Sequence, residues 1–591
     1  MVLVLVLAHG HRLANATGRK VRVAKFFRHI PRQPQRCSRH RRSGPTWPGR
    51  PGGTSLLIQT DETAAELQTR GTLGFGRERP PLWLSVVLAA SGGVVNALAF
   101  PGLGWWPLVL IGTPLILGSV LGRRLGGALL VGLVGGVAFW GTQIFWLTVY
   151  LGPVPWLALT GLEAVFFAAG CALIAMAWRF TDRAFPGTFG RLGLTPIVIA
   201  GLWTLRELVT SNWPYGGFSW GRLAFSQSES PFGDLVAWVG ISGLSFLLAW
   251  VGALFVQVVR GPTVRRRVAL SAVPVGLIAV LLLVPPVPIV ESGTMRVAAV
   301  QGNSDAGLFA EYAPGEILDN HAAATEPLYG QDVDVVVWPE NAADLDPLTV
   351  GQSAATLDLV TRRMNAPLVT GTITSTGDDV FNSLLLWKPG IGAVDQYDKI
   401  HPVPFAEYIP DRDFWYPLAP DLLSLIPRDY TVGTRDNVLD IDDVKTGVAI
   451  CFDIVDDNLI RQMIAGGAQI ILAPSNNADF GDSDESVQQL AIARLRAVEY
   501  GRSVVNISTV GTSAIIAPDG STIARLPTFE PGSMVQDVPL STTTTPATLV
   551  GAGVELTLSG LGLGGLLLAI GLTRGGNGRT GSRRLRLPRR K

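Results

Sequence analysis

Apolar residues along this chain follow two patterns, and the change between them falls near residue 290. From Pro81 onward, long runs of Leu, Val, Ala, Gly and Trp recur at about 82–100, 103–121, 126–148, 155–178, 194–210, 234–257 and 268–288, with one more at about 549–572. Each run is close to the ~20 residues a helix needs to cross a bilayer, so the pattern predicts about eight membrane spans. Between 294 and 540 the apolar runs are short. Met295–Gln301, Asp334–Trp338, Pro367–Ile373, Ser383–Trp387, Thr446–Cys451 and Gln469–Ala473 are strand-length and rich in β-branched residues. Helix-like stretches separate them at about 314–329, 352–364, 455–466 and 484–500. That alternation predicts a layered α/β domain placed before the last span.

Composition agrees with the spans. The 591 residues are 48% hydrophobic and 16% charged, with a mean hydropathy of +0.33, too apolar for an ordinary soluble protein. A formal net charge of +2 hides an asymmetry: arginine crowds 11–80 and 573–591, while most acids lie in 300–540. Loop arginines alternate as well. Arg123 and Arg124, then Arg179, Arg183 and Arg191, then Arg260 and Arg265–Arg267 fall in every second loop, and Arg574–Lys591 joins them if there are eight spans. The positive-inside rule then sets both termini in the cytoplasm and 289–548 outside a multi-pass cell-membrane protein. The expected division is a basic, disordered tail at 1–80 and a membrane domain of about seven helices at 81–290. An outer domain follows at 291–540, a linker with the last helix at 541–572, and a basic cytoplasmic tail at 573–591. A start site set too far upstream explains 1–80 equally well, since Met1–Ala8 is too short to span and lacks a basic leader. Basic ends without a nucleic-acid motif point to the anionic membrane surface, so no nucleic-acid partner is expected.

Three of the outer domain's apolar runs end on reactive chemistry: Trp338-Pro339-Glu340, Tyr397-Asp398-Lys399 and Gly447–Cys451. A carboxylate, an ammonium and a thiol converging at one edge of a sheet would supply base, charge stabiliser and nucleophile for acyl transfer. Cys451 is the sole cysteine of this domain, with Cys37 and Cys171 elsewhere, so no disulfide framework can form there and the thiol is either packing or functional. Lys399 is one of three lysines in the domain and could instead form a salt bridge with Asp398 or Glu407. Arg206-Glu207, in or beside the fifth span, reads as a structural ion pair or a functional one. The aromatic loop Asn212–Trp220 suits a membrane interface, where Trp213 and Trp220 either anchor a helix end or hold an acyl chain. With no His/Cys cluster and no Walker or Rossmann glycine motif, neither metal nor organic cofactor is expected.

The segments Trp338–Asn341, Tyr397–Pro410 and Gly447–Asp453 resemble the nitrilase superfamily with its Glu–Lys–Cys triad. Val403–Pro410, with spans before the domain and one after it, is similar to the membrane branch of that superfamily, the apolipoprotein N-acyltransferases. The likeness runs over about 82–572, with Trp213–Trp220, Gln301-Gly302-Asn303 and Pro474-Ser475-Asn476 in support. It implies an extracytoplasmic αββα sandwich, with Cys451 as nucleophile, Glu340 as base, Lys399 as oxyanion stabiliser and Glu407 as a second carboxylate. The implied partners are a phospholipid acyl donor and diacylglyceryl apolipoproteins, handled by a monomer. Lys399 is then expected to lower the thiol pKa from ~8.5 by a unit or more. The chain departs from the family pattern at Phe452-Asp453, where Tyr-Glu is usual, and at Asp479, where tryptophan is usual. No tryptophan follows Gln-Gly-Asn; Phe309 is the nearest aromatic. Trp213, Trp220, Phe309 and Phe452 are the candidate substrate contacts. Some relatives carry a fused polyprenol-phosphate mannosyltransferase domain, for which the stretch after the last span is expected to be too short. Two rivals remain: a membrane-tethered amidase or nitrilase that passes the acyl group to water, and a catalytically silent scaffold for lipoproteins.

Overall fold

All eight apolar runs fold as helices in the computed structural model, which describes residues 80–307, 310–426 and 428–578. They are α1 (Leu82–Ala97), α2 (Val109–Ser119), α3 (Leu125–Gln143), α4 (Pro153–Ala184), α5 (Thr195–Thr210), α6 (Val236–Val259), α7 (Val264–Leu282) and, after the outer domain, the helix Ala552–Gly578. Among the described residues, five segments are long and apolar enough to cross a membrane: Leu125–Gln143, Pro153–Ala184, Gly190–Thr210, Gly233–Val259 and Ala552–Arg574. Helix α7 begins with Arg265-Arg266-Arg267 and buries only Pro274, so its apolar side chains face outward. It stops at Leu282 instead of reaching 288, because Pro285-Pro286 cannot extend a helix.

The arginine-bearing ends of the helices contact one another. Arg260 at the end of α6 pairs with Asp182 near the end of α4 at 2.5 Å. Arg123 before α3 donates to Ser85 Oγ at 2.6 Å and to the Pro80 carbonyl. The opposite ends of α3 and α5 meet the outer domain instead. Gln488 of that domain accepts from Trp146 Nε1 at 3.1 Å and Trp220 Nε1 at 2.6 Å, and donates to the Gln143 carbonyl at 3.3 Å.

The outer domain consists of two six-stranded sheets, ordered β12-β1-β2-β3-β4-β5 and β11-β10-β9-β8-β7-β6. The first holds β1 (Glu291–Gln301), β2 (Val335–Val337), β3 (Leu368–Thr376), β4 (Asp379–Lys388), β5 (Gly392–Asp398) and β12 (Gly532–Ser541). The second holds β6 (Val438–Ile441), β7 (Val444–Val448), β8 (Ile470–Ser475), β9 (Ser503–Ser508), β10 (Ala514–Ile516) and β11 (Thr522–Arg525). Side chains alternate between faces as a pleat requires. In β1, Val297 and Ala299 join the core between the sheets, while Ala298 and Val300 join the core under α8 (Glu316–Thr325) and α9 (Gly351–Met364). In β8, Ile470 and Leu472 face the other sheet. Ile471 and Ala473 face α10 (Asp457–Ala465) and α11 (Asp484–Tyr500). The layers are therefore helix, sheet, sheet, helix.

This second helix layer is also the membrane-side layer. Ile492 and Leu495 of α11 belong to one buried cluster with Ile241 and Leu244 of α6. Strands β1 and β12 pair antiparallel from Glu291–Ser541 to Gln301–Gly532, so the chain enters and leaves the domain side by side. It then returns to the bundle as α12 (Ala552–Gly578), which crosses α5 at two glycines. A Cβ on Gly201 would meet Gly562 N at 2.6 Å, and one on Gly562 would meet Gly201 C at 2.3 Å, so neither position has room for a side chain.

Candidate active site

Strands β2, β5 and β7 each run out just before one of the three residues singled out by the sequence. Strand β3 is parallel to β2, β4 antiparallel to β3, and β5 antiparallel to β4, so β2 and β5 point the same way and deliver Glu340 and Lys399 to one end. Cys451 arrives from the second sheet after β7, so the residues converge between two sheets, not at the edge of one. Strand β7 stops at Val448, short of the thiol. Cys451 instead opens a tight 3-10 turn with φ of +51°, a left-handed conformation rare for a residue bearing a side chain. Asp453 holds that turn: its Oδ2 accepts from Ile450 N at 3.1 Å and from the Tyr397 hydroxyl at 2.9 Å. Gly371 of β3 makes the approach of Glu340 possible, since a Cβ there would lie 2.5 Å from Glu340 Cα.

Lys399 is almost wholly buried between two carboxylates, with Nζ 2.9 Å from Glu407 Oε2 and 3.4 Å from Glu340 Oε1. Asn382 of β4 ties the same carboxylates together, its Nδ2 donating to Glu340 Oε1 at 2.7 Å and Glu407 Oε1 at 2.8 Å. Glu340 Oε2 accepts from Asn476 N at 2.8 Å, which links it to the end of β8, and Glu407 Oε2 accepts from Val403 N at 2.6 Å. Burial alone would push the Lys399 ammonium down, but Glu407 and Glu340 outweigh it and hold its pKa well above the usual lysine range.

The thiol behaves differently from expectation. Burial, then the charge of Glu340, push Cys451 well above the usual thiol range, and Lys399 offsets this only in part. The direction is opposite to the expected lowering because burial dominates, and the two carboxylates around Lys399 limit what its charge can offset. Burial raises Asp453 to about 7 and Glu485 to about 8; Asn477 Nδ2 donates to Glu485 Oε2 at 2.7 Å.

The four residues Glu340, Lys399, Cys451 and Glu407 share one site. Phe452 stacks nearly parallel on Phe218 and Trp220, with interplanar angles of 8° and 3° and ring centroids about 6 Å apart, joining the Cys451 turn to the membrane domain. Trp146 and Phe480 extend this aromatic wall. Trp213 does not belong to it: the side chain is exposed and packs edge-on against Phe166. Phe309 lies outside the described residues, as does Cys37. Arg206 and Glu207 are paired at 3.5 Å. Glu207 Oε1 accepts from Trp203 Nε1 at 2.8 Å and Leu223 N at 3.1 Å, and the Arg206 guanidinium lies 4.1 Å from the Trp203 ring centroid. Sequence reasoning missed Asn382, whose signal was a lone amide before Ser383 and the apolar run Leu384–Trp387.

Comparison with known proteins follows the same division. The family described as apolipoprotein N-acyltransferase N-terminal domain matches residues 92–254, and the carbon-nitrogen hydrolase family matches residues 296–547. An apolipoprotein N-acyltransferase of Mycolicibacterium smegmatis is 34% identical over 82% of this chain and 84% of its own length. One of Shewanella oneidensis is 28% identical over 83% of this chain and 96% of its own. Among solved structures, an amidase from Nesterenkonia sp. covers 44% of this chain and 95% of its own at 20% identity, with a TM-score of 0.33. The chain belongs to the apolipoprotein N-acyltransferase family, the membrane branch of the nitrilase superfamily.

Proposed function

We propose that the protein moves a fatty acyl group from a membrane phospholipid to the N-terminal amine of diacylglyceryl-cysteine in apolipoproteins, by way of a thioester on Cys451. The observation that carries this reading is the Lys399 cage beside a thiol whose neighbour Phe452 stacks on the membrane domain. Both substrates are lipids, and this nucleophile borders the part of the molecule that meets them.

In the first half-reaction Glu340 takes the thiol proton and the sulfur attacks the ester carbonyl. An ammonium has three N–H directions, and the bonds to Glu340 and Glu407 use two. The third is available to the oxyanion as the carbonyl oxygen gains charge. The carbon–oxygen bond to glycerol then breaks, Glu340 returns the proton to the glyceryl alkoxide, and lysophospholipid leaves. In the second half the amine nitrogen attacks the thioester carbonyl and Glu340 accepts a proton from it. The carbon–sulfur bond breaks and that proton returns to sulfur, leaving an amide and a free thiol. Glu407 orients Lys399. A thiol that keeps its proton until the ester is in place is shielded from wasteful alkylation and oxidation.

Eight spans, cytoplasmic termini and an outer catalytic domain complete the reading. The meeting of arginine-bearing helix ends away from the outer domain supports this orientation. The β1–β12 pairing supports 291–540 as an inserted domain between the membrane helices 81–290 and the segment 541–572. Triad residues drawn from one chain support a monomer. Mass spectrometry of lipoprotein N-termini in cells with and without the protein tests the function: loss of the amide-linked acyl group is expected, and unchanged N-termini would overturn it. A reporter fused near Gly351 should read the outside and one near Gly261 the cytoplasm.

A further inference from the structure

Asp479 is a charged group beside the site that the mechanism leaves unused. It stands in the short turn Ala478–Phe480 past the end of β8, at a position where tryptophan is usual in the family. Among the described residues its carboxylate has no hydrogen-bond or ion-pair partner, and it is half-buried with its oxygens still open to accessible space. Glu340 is the triad member whose charge bears on it, and no cation among the described residues offsets that repulsion. Burial first, then Glu340, raise its carboxyl to about 6, so near neutral pH it stays mostly ionised with little water to balance it. Its surroundings are aromatic. Tyr150 stacks on Phe480 with ring centroids 5.3 Å apart, and Trp146 meets the same ring edge-on. The Asp479 charge reaches the hydroxyls of Tyr150 and Tyr312, and the Glu407 charge reaches that of Tyr150 as well. Asp479 therefore borders the Lys399 cage on the side of its carboxylates.

We propose that Asp479 determines acceptor specificity by receiving a primary ammonium, the protonated α-amino group that goes on to attack the thioester. The assignment deepens the acyl-transfer reading and rests on it. A carboxylate stripped of much of its water, with a like charge nearby and no cation, is stabilised by the cation that arrives. The rings of Phe480 and Tyr150 add cation–π attraction. An ammonium has two sources here, the acceptor's α-amine and a donor headgroup, and two observations favour the acceptor. Its nitrogen must come to Glu340, which takes its proton, and Glu340 is the group that bears on Asp479. The phosphate of any donor headgroup is repelled by the same carboxylates. An α-amine with a pKa of ~8 is mostly protonated near neutral pH, so it arrives charged. Asp479 exchanges no atom in the step. It holds the ammonium while one N–H proton passes to Glu340, which frees the lone pair to form the nitrogen–carbon bond as the carbon–sulfur bond breaks.

The test uses full-length protein in detergent and separates the half-reactions: the thioester is formed from phospholipid, then a synthetic diacylglyceryl-cysteine lipopeptide is added and thioester decay is followed. Asp479→Asn keeps shape but loses charge. It should cost the transfer step at least about tenfold more than the thioester step, through a higher half-saturating lipopeptide concentration and not a lower limiting rate. Asp479→Glu should restore most of the loss. Unreactive competitors report on the wild type itself: a lipopeptide ending in trimethylammonium should outcompete one ending in a neutral hydroxyl, and Asp479→Asn should erase that preference. Equal losses in both half-reactions, a loss confined to the limiting rate, or no preference between the competitors would each overturn the proposal. So would a selective loss of thioester formation from phosphatidylethanolamine against phosphatidylglycerol, which would give the ammonium to the donor. These outcomes leave the catalytic reading standing, whereas a wild type that forms no thioester would overturn both.

Discussion

Two clusters of buried charge sit on either side of the Cys451 turn. The cage around Lys399 has one cation, two carboxylates and an amide. The seam around Arg496 has two cations and three carboxylates: Arg496 meets Asp457 at 2.5 Å and Glu499 at 2.6 Å, and Arg222 reaches Asp457 and Glu555. Each carries one surplus negative charge, so net charge does not tell them apart. What separates them is what each cation holds. Arg496 also donates Nε to the Ile454 carbonyl at 3.1 Å and Nη2 to the Val455 carbonyl at 2.9 Å, so four of its five N–H groups are engaged and two of them grip the turn that carries Cys451. Lys399 keeps one N–H direction open beside the Cys451 thiol, whose pKa burial and Glu340 push up. The seam holds the turn, and in the proposed mechanism the cage does the proton work.

Substitutions at four positions press on that comparison. Cys451→Ala should remove the hydroxylamine-sensitive acyl adduct entirely, measured by peptide mass spectrometry after incubation with phospholipid; an adduct that persists places the nucleophile elsewhere. Glu340→Gln should slow thioester formation by roughly 10²–10⁴-fold, because it keeps shape but loses basicity. The same change should speed iodoacetamide labelling of Cys451 near pH 8, because the carboxylate that raises the thiol pKa is gone. Both rates falling together would mean that Glu340 does not act on the thiol through its charge.

Arg496→Met breaks the seam on one side and leaves buried carboxylates behind. A stability loss of about 3–5 kcal/mol is expected, read as a lower thermal midpoint in detergent, while the folded fraction should label at Cys451 with an altered rate as the turn relaxes. Arg496→Lys should restore most of the stability but not the labelling rate, since a point charge cannot serve two carbonyls and two carboxylates at once. The smallest effect concerns Asp453, which burial raises to about 7 from an unfolded value near ~3.9. The folded state holds this proton more tightly, so its contribution is fully present below about pH 4 and is lost as pH rises through about 7. Asp453→Asn should therefore flatten the fall of the thermal midpoint over that window.

Much of this was legible in the chain, for identifiable reasons. Strands β1, β2, β3, β4, β7 and β8 are buried on both faces over much of their length, so they read as apolar runs. Strand β5 is a half-exposed edge and alternates with polar residues, and β9 buries Ser503 and Asn506, which donate to the Pro539 and Thr512 carbonyls. Neither has an apolar signature to find. Glu340 and Cys451 were legible because each follows an apolar run, whereas Lys399 stood out as one of three lysines in its domain and by the motif around it. The seam was not legible. Helix α11 shows Gln488, Gln489, Arg496 and Glu499 on a face that reads as solvated, yet all four are buried. For Gln488 and Glu499 solvent is replaced by membrane-domain residues more than 200 positions earlier in the chain, and for Gln489 and Arg496 by other loops and turns of their own domain, neither of which a local pattern encodes.

The crossing of Gly201 on Gly562 fixes an order of events during synthesis. Helix α5 is made well before α12, and the whole outer domain lies between them. At ~5–20 residues per second the ribosome takes on the order of tens of seconds to cover that distance. Throughout that interval the glycine face of α5 has only lipid against it, and the bundle is an unfinished vessel. Closure comes last, when the returning helix drops onto a surface too tight for any side chain.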